Sequence, residues 1–266
     1  MTMLRVDPCS PAIAATVTDL DLSEPIGAEA MSGLWRAFHE HTMLVFRDQL
    51  LTPGQQAAFA KRWGTPLVVP ALAEHAVPDH PSVLRVTNAG KHASLTENWH
   101  FDSAFFEHPP PITMLSAQHV PELGGDTMWA NQYLAYERLS PTMQRLIDPL
   151  RIAFVGTLPD DGGGRREVVT YHPAVHTHPA TGRKSLRTGR LEAAPHVEGM
   201  AASESRGLLE FLHDHASRPE FVYRHSWRAG DVVMWDNRCL LHYAIHDYGE
   251  ARRLMHRVTV VDPTDQ

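Results

Sequence analysis

Two histidines and one aspartate carry the clearest chemical signal in this chain. His100 and Asp102 stand in the run Glu97-Asn98-Trp99-His100-Phe101-Asp102, and His242 follows far downstream, after Trp235-Asp236-Asn237-Arg238. Residues two apart in extended backbone leave the same face, so His100 and Asp102 can reach one ion together. Two neutral imidazoles and one carboxylate favour a divalent transition metal and leave one face of an octahedron open, the donor set of non-haem Fe(II) oxygenases. Just beyond His242 the run Arg252-Arg253-Leu254-Met255-His256-Arg257 adds fixed cations. Cations beside an open metal suggest an acid co-substrate that binds that metal. In a chain with 18 histidines, a His-x-Asp pair alone also fits an ordinary surface pair. His176 and His178 alternate in the same way, but they precede Pro179 in a predicted turn and are expected at the surface.

The elements that must position these residues are mostly short strands. Apolar runs at 83–87, 112–119, 152–155, 174–177, 222–227, 232–235 and 254–261 are separated by the turn signals Gly124-Gly125-Asp126, Asp161-Gly162-Gly163-Gly164, Thr181-Gly182 and Gly230-Asp231. Met31, Leu34, Trp35 and Phe38 follow the spacing of one buried helical face, which predicts a helix over 28–40. Thr52-Pro53-Gly54-Gln55 reads as a capped helix start, and Ser140-Pro141 as another. The segment 203–216 reads as a helix with packing surface, and 42–46 as a buried strand. Many short strands with a few flanking helices predict a mainly β fold, a double-sheet jelly roll, and 1–266 reads as one domain. The glycines at 162–164 lack the strand, helix and Lys-Ser/Thr of a phosphate cradle and are expected in a surface loop.

Bulk properties narrow the function further. The 266 residues are 43% hydrophobic and 21% charged, as in an ordinary globular enzyme. A net charge of −7 without a Lys/Arg block argues against nucleic acid as a partner. No apolar run approaches the ~20 residues of a membrane helix, and the first residues have no signal-peptide core. Cys9 and Cys239 cannot build a disulfide framework, so a cytoplasmic compartment is expected.

Four motifs then fall in the order and spacing of one family: Asn98-Trp99-His100-Phe101-Asp102, Gly124-Gly125-Asp126-Thr127, Trp235-Asp236-Asn237-Arg238 with His242, and Arg253-x-x-x-Arg257. From about Pro11 to Val261 the chain resembles the taurine dioxygenase / 2,4-dichlorophenoxyacetate dioxygenase (TauD/TfdA) family of Fe(II)- and 2-oxoglutarate-dependent oxygenases. The resemblance implies a double-stranded β-helix of the clavaminate synthase-like kind, and Fe(II), 2-oxoglutarate and O2 as cofactor and co-substrates. It implies that His100, Asp102 and His242 are the iron ligands. Thr127 and Arg253 match the residues that hold the distal carboxylate of 2-oxoglutarate, and Arg257 the arginine that holds the anionic head of the primary substrate. A guanidinium suits either task because its two parallel bonds fix orientation as well as affinity.

The chain departs from the taurine enzymes in its pocket. Val69 and Leu72 fall where those enzymes carry a His and a Tyr, Thr96 where they carry an asparagine, and Arg187 where they carry a phenylalanine. The segment between Phe154 and Tyr171 is also shorter. Taurine is therefore a poor substrate expectation, and a small anionic organic acid, sulfonate or sulfate ester with an apolar body a better one. A homo-oligomer is expected. Two rivals stay open at this point: a zinc hydrolase on the same three ligands, and a non-catalytic jelly-roll binding protein.

Overall fold

Alternation along single strands sets the layering. In Val232–Asp236, Val232 and Met234 enter one core cluster while Val233 and Trp235 enter another. Its neighbour Met43–Phe46 does the same, with Leu44 and Phe46 opposed to Met43 and Val45. Both faces are covered, so the sequence reads as continuous apolar runs. The computed structural model describes residues 4–88, 96–159, 164–188, 190–193 and 195–262.

These two strands sit inside a nine-stranded sheet that also holds Ile112–His119, Leu254–Val261 and His80–Thr87. Helices Ala28–His41 and Pro53–Ala60 cover its outer face through Leu34, Phe38 and Phe59, joined by Trp63 just past the second helix. Its inner face meets a three-stranded sheet of Val222–His225, Thr127–Asn131 and Leu240–Ala244, with Trp129, Trp235, Leu240 and Met255 in the shared core. Helix Ala202–Ala216 backs the smaller sheet through Leu209 and Leu212, which pack with Ala130 and Leu241. Two facing sheets with helices on their outer sides are the jelly roll that the strand pattern predicts.

Both predicted helix starts are present. Thr52 and Gln55 form a reciprocal capping box, and the Ser140 hydroxyl accepts from the Met143 amide at 3.2 Å. Several strands go beyond the sequence reading, among them Thr127–Asn131, Arg165–Pro173 and Leu240–Ala244. Arg165–Pro173 forms an antiparallel hairpin with Arg151–Pro159, and this hairpin stands beside the smaller sheet through Ile152 and Phe154. Gly162 and Gly163 lie outside the described residues. The surface expectation for His176 and His178 is corrected. His178 is 1% exposed and places Nε2 at 3.0 Å from Asp236 Oδ2, and Nε2 of His176 is buried. The turn is present, but it packs inward against the segment that leads to His242.

Candidate active site

A two-residue backbone bridge builds the centre of the site. The His100 amide donates to the His242 carbonyl at 3.0 Å and the His242 amide to the His100 carbonyl at 2.9 Å. Directly paired residues share a face, so the two imidazoles stand side by side, with ring centroids 4.1 Å apart. Asp102 follows on the same side. One ligand atom from each of His100, Asp102 and His242 lies within 4.8 Å of the other two.

The surroundings fix which atoms face inward. His100 Nδ1 is 2.8 Å from the Asn98 carbonyl, which assigns Nδ1–H as the donor and leaves Nε2 for a metal. Thr113 Oγ1 donates to Asp102 Oδ2 at 2.7 Å, so Oδ1 is the free carboxylate oxygen. The Thr113 hydroxyl in turn accepts from Asn237 Nδ2 at 2.9 Å, and Trp235 Nε1 donates to Asn237 Oδ1 at 2.9 Å. Asn237 belongs to a buried chain that orients the carboxylate. Trp235 also packs 5.0 Å from the His242 ring, and Trp99 5.7 Å from the Tyr243 ring.

Charge state fits metal ligation. Burial, and then the neighbouring His100, push His242 down to about 3, so its imidazole is neutral. Burial alone would raise Asp102, but His242 and the Arg257 guanidinium outweigh it and hold the carboxyl down to about 2. Neutral imidazoles with an ionised carboxylate are the protonation states that a divalent metal requires. The residues present therefore fit Fe(II) in its two-histidine, one-carboxylate setting.

Two arginines flank this cluster. Arg257 Nη1 lies 3.7 Å from Asp102 Oδ1, and its Nε is buried without a hydrogen-bond partner among the described residues. Arg253 is 7% exposed and donates from Nε to the Gly125 carbonyl at 3.2 Å. Among the described residues no carboxylate pairs with Arg253. The nearby Asp126 is occupied by Arg224, at 2.6 Å, and by Ser226. Burial lowers the Arg253 pKa. A buried guanidinium without a counter-ion is costly, and a bound anion would relieve that cost. Thr127 stands beside it: Trp227 Nε1 donates to Thr127 Oγ1 at 3.0 Å, and the Arg253 guanidinium carbon lies 6.0 Å from the Trp227 ring centre. Gly125 makes this approach possible. Its φ is +72°, and an added Cβ would stand 3.3 Å from the Arg253 side chain.

A cavity of about 140 Å³ opens on the other side of His100. Phe101, Phe105, Phe154 and Val155 supply apolar wall, Ser103 and Thr188 hydroxyls, and Arg190 a cation. Ser103 turns the chain sharply after Asp102, with φ +51°. Arg190 and the phenylalanines were missed by the sequence reading. A run of basic residues from Arg183 to Arg190 was the available signal, and nothing in it singles out Arg190. Arg187 adjoins this space rather than lining it. It faces a smaller cavity that shares Phe101, Ala104 and Phe154 with the first, and burial pushes its guanidinium down to about 10. Thr96 lies close to the His242 strand, its carbonyl accepting from the Ala244 amide at 3.0 Å. Val69 lines a separate surface concavity with Pro70, Ala73 and Arg85, and Leu72 follows on the same short helical turn, its amide donating to the Val69 carbonyl at 2.9 Å. Neither lines the His100 cavity.

Comparison with known proteins agrees with this geometry. The sequence model of the taurine catabolism dioxygenase TauD, TfdA family matches residues 5–259. An alpha-ketoglutarate-dependent 2,4-dichlorophenoxyacetate dioxygenase of Cupriavidus pinatubonensis is 36% identical, over 96% of this chain and 97% of its own. An alkylsulfatase of Acinetobacter baylyi is 32% identical, over 93% of this chain and 82% of its own. The crystal structure of a taurine dioxygenase from Burkholderia xenovorans superposes with a TM-score of 0.87 at 33% identity, covering 98% of this chain and 90% of that one.

Proposed function

The chain belongs to the TauD/TfdA family, and from that premise we propose that it is an Fe(II)- and 2-oxoglutarate-dependent dioxygenase acting on a small anionic organic compound with an apolar body. Aryloxy acids and sulfate esters are the first candidates, by likeness to relatives named for the first class and for alkyl sulfates. The observation that carries this reading is the His100, Asp102, His242 cluster beside Arg253, a buried guanidinium with no carboxylate partner among the described residues. A zinc hydrolase would need the three ligands but not that guanidinium, and a non-catalytic jelly roll would need neither.

Fe(II), with 2-oxoglutarate and dioxygen, supplies the C–H-oxidising chemistry, and succinate and carbon dioxide are the co-products. The chain's own residues do the positioning. His100, Asp102 and His242 would hold the metal. Arg253 and Thr127 would hold the far carboxylate of 2-oxoglutarate. The apolar wall formed by Phe101, Phe105, Phe154 and Val155 keeps water from the reacting carbon and presents it close to the metal. Arg257 takes the anionic head of the substrate, and its unpartnered Nε supports that role. Thr96 and Arg187 stay in this reading as candidate outer contacts, whereas Val69, which lines a separate concavity, and Leu72 beside it do not line the His100 cavity and carry no argument about taurine. No helix among the described residues is long and apolar enough to cross a membrane. Cys9 and Cys239 are unpaired, which supports a cytoplasmic location.

The test is a panel of taurine, short alkyl sulfates and phenoxyacetate, scored by substrate-dependent succinate formation. Phenoxyacetate or an alkyl sulfate is expected to give the highest kcat/KM, and Arg257→Ala to raise KM for it. If taurine has the highest kcat/KM, the substrate class is wrong. If Arg257→Ala leaves KM unchanged, the anion clamp is wrong.

A further inference from the structure

Phe105 lies against Gly156 more closely than any residue with a side chain would allow. A Cβ built on Gly156 would stand 2.2 Å from Phe105 Cγ and 2.3 and 2.6 Å from the two Cδ atoms. The ring therefore rests on bare backbone, in the middle of strand Arg151–Pro159. Gly156 is an ordinary strand position opposite Val168, so no turn or bulge asks for glycine here. What requires it is the ring, and that ring is a wall of the cavity beside His100.

The backbone under the ring is held in place on both sides. Thr170 Oγ1 donates to the Phe105 carbonyl at 2.7 Å, and His172 Nε2 lies 2.9 Å from the Phe106 carbonyl. Thr170 and His172 both belong to strand Arg165–Pro173, paired to the strand that carries Gly156. The Phe106 ring packs edge-on against Phe105 at 5.1 Å. The loop that begins at Asp102 is thus fastened to the hairpin by two hydrogen bonds, and the Phe106 ring braces Phe105 from within the loop. If the floor at Gly156 rises by a methyl group, the carbonyls cannot follow, and the ring must swing. The cavity is the open space next to it.

We propose that Gly156 is a specificity-determining positioning residue: by seating Phe105 on bare backbone it sets the depth of the substrate cavity, at the size of about one aromatic ring or a short alkyl chain. The size follows from volume. The cavity measures about 140 Å³, near the ~150 Å³ known to accept one benzene molecule in another protein. This inference rests on the reading that the His100 cavity takes the apolar body of the substrate.

A double-mutant cycle tests it, with Gly156→Ala, Phe105→Ala and their combination assayed on phenoxyacetate and on alkyl sulfates of increasing chain length. Gly156→Ala is expected to raise KM for phenoxyacetate about tenfold, on the scale of one methylene misfit in an apolar pocket. Phe105→Ala is expected to shift the preferred alkyl chain to a longer one. In the Phe105→Ala background, Gly156→Ala should cost less than about twofold, because the clash has gone. The same cycle is run on thermal stability, which needs no substrate: Gly156→Ala should lower Tm with Phe105 present and not in its absence. Equal Gly156→Ala penalties in both backgrounds would overturn the proposal, as would coupled Tm values with an unchanged chain-length preference. If no anion of the panel supports succinate formation but the Tm values couple, the substrate reading has failed and the Gly156–Phe105 contact stands without its specificity role.

Discussion

The two sides of the metal cluster are built differently. The side proposed for the co-substrate rests on paired strands: Thr127 on one, His242 on the next, Arg253 at the entrance of Leu254–Val261, with Trp227 between Thr127 and Arg253. The carboxylate of Asp102 is held by a buried chain through Thr113, Asn237 and Trp235. The side proposed for the substrate rests on the loop after Asp102, a flanking hairpin, and single residues between 188 and 195. Sheet positions cannot shift without breaking ladder hydrogen bonds, whereas loop and hairpin positions can be exchanged one at a time. The difference separates a fixed reaction from an adjustable substrate. It also accounts for one scaffold whose relatives are named for aryloxy acids, alkyl sulfates and taurine.

The largest effect is expected at the fixed side. His100→Ala, Asp102→Ala and His242→Ala should each abolish substrate-dependent succinate formation and weaken Fe(II) uptake, with circular dichroism unchanged. No other cluster can compensate, because among the described residues these three are the one group of His, Cys, Asp or Glu placed to share an ion. Near-wild-type activity in any one of the three would remove that residue from the metal site.

Next in size is Arg253→Lys. A point charge cannot reproduce a two-bond fork, and hydrogen bonds to a charged group are worth about 1.5–3 kcal/mol. The 2-oxoglutarate requirement should therefore rise roughly 10- to 100-fold. Anaerobic titration of Fe(II)-loaded enzyme, followed by its visible charge-transfer absorption, reads this directly. Superimposable titrations for wild type and Arg253→Lys would place the co-substrate elsewhere.

The same contrast governs what the sequence disclosed. The fixed side was legible because its residues have chemistry of their own and recur in ordered words: His100, Asp102 and His242, then Arg253. The strands Val232–Asp236 and Leu254–Val261 were legible as apolar runs. Thr127–Asn131 was not, because it is buried on nearly every residue and mixes Thr, Trp and Asn, so neither alternation nor an aliphatic run marks it. The chain from Trp235 through Asn237 and Thr113 to Asp102 was invisible because its members meet only through the sheet pairing of Val232–Asp236 with Ile112–His119. On the adjustable side, Phe105 and Gly156 are ordinary residue types whose meaning lies in one contact. His178 was misread because a turn signal says that the chain reverses, not which side of the turn faces the core.

The smallest expected effect sharpens the comparison most, because it asks whether the fixed side is fixed down to one hydroxyl proton. Thr127 Oγ1 accepts from Trp227 Nε1 at 3.0 Å. With an acceptor site filled, the single Thr127 proton is directed away from the indole and is available to a carboxylate. Trp227 is itself held: its ring packs edge-on against His225 at 4.7 Å, and His225 Nε2 is 3.0 Å from Asp231 Oδ2. Trp227→Phe keeps an apolar platform under Arg253 and removes the N–H. Losing one hydrogen bond is worth about 0.5–1.5 kcal/mol, so Thr127→Val should raise the 2-oxoglutarate requirement roughly 2- to 10-fold. Trp227→Phe should raise it less, since the hydroxyl stays and loses only its orientation. The double variant should match Thr127→Val within about twofold, because no hydroxyl remains to be oriented. If the two effects instead multiply, Trp227 acts on 2-oxoglutarate binding through the face it presents to Arg253, and the proton of Thr127 is oriented by something other than the indole.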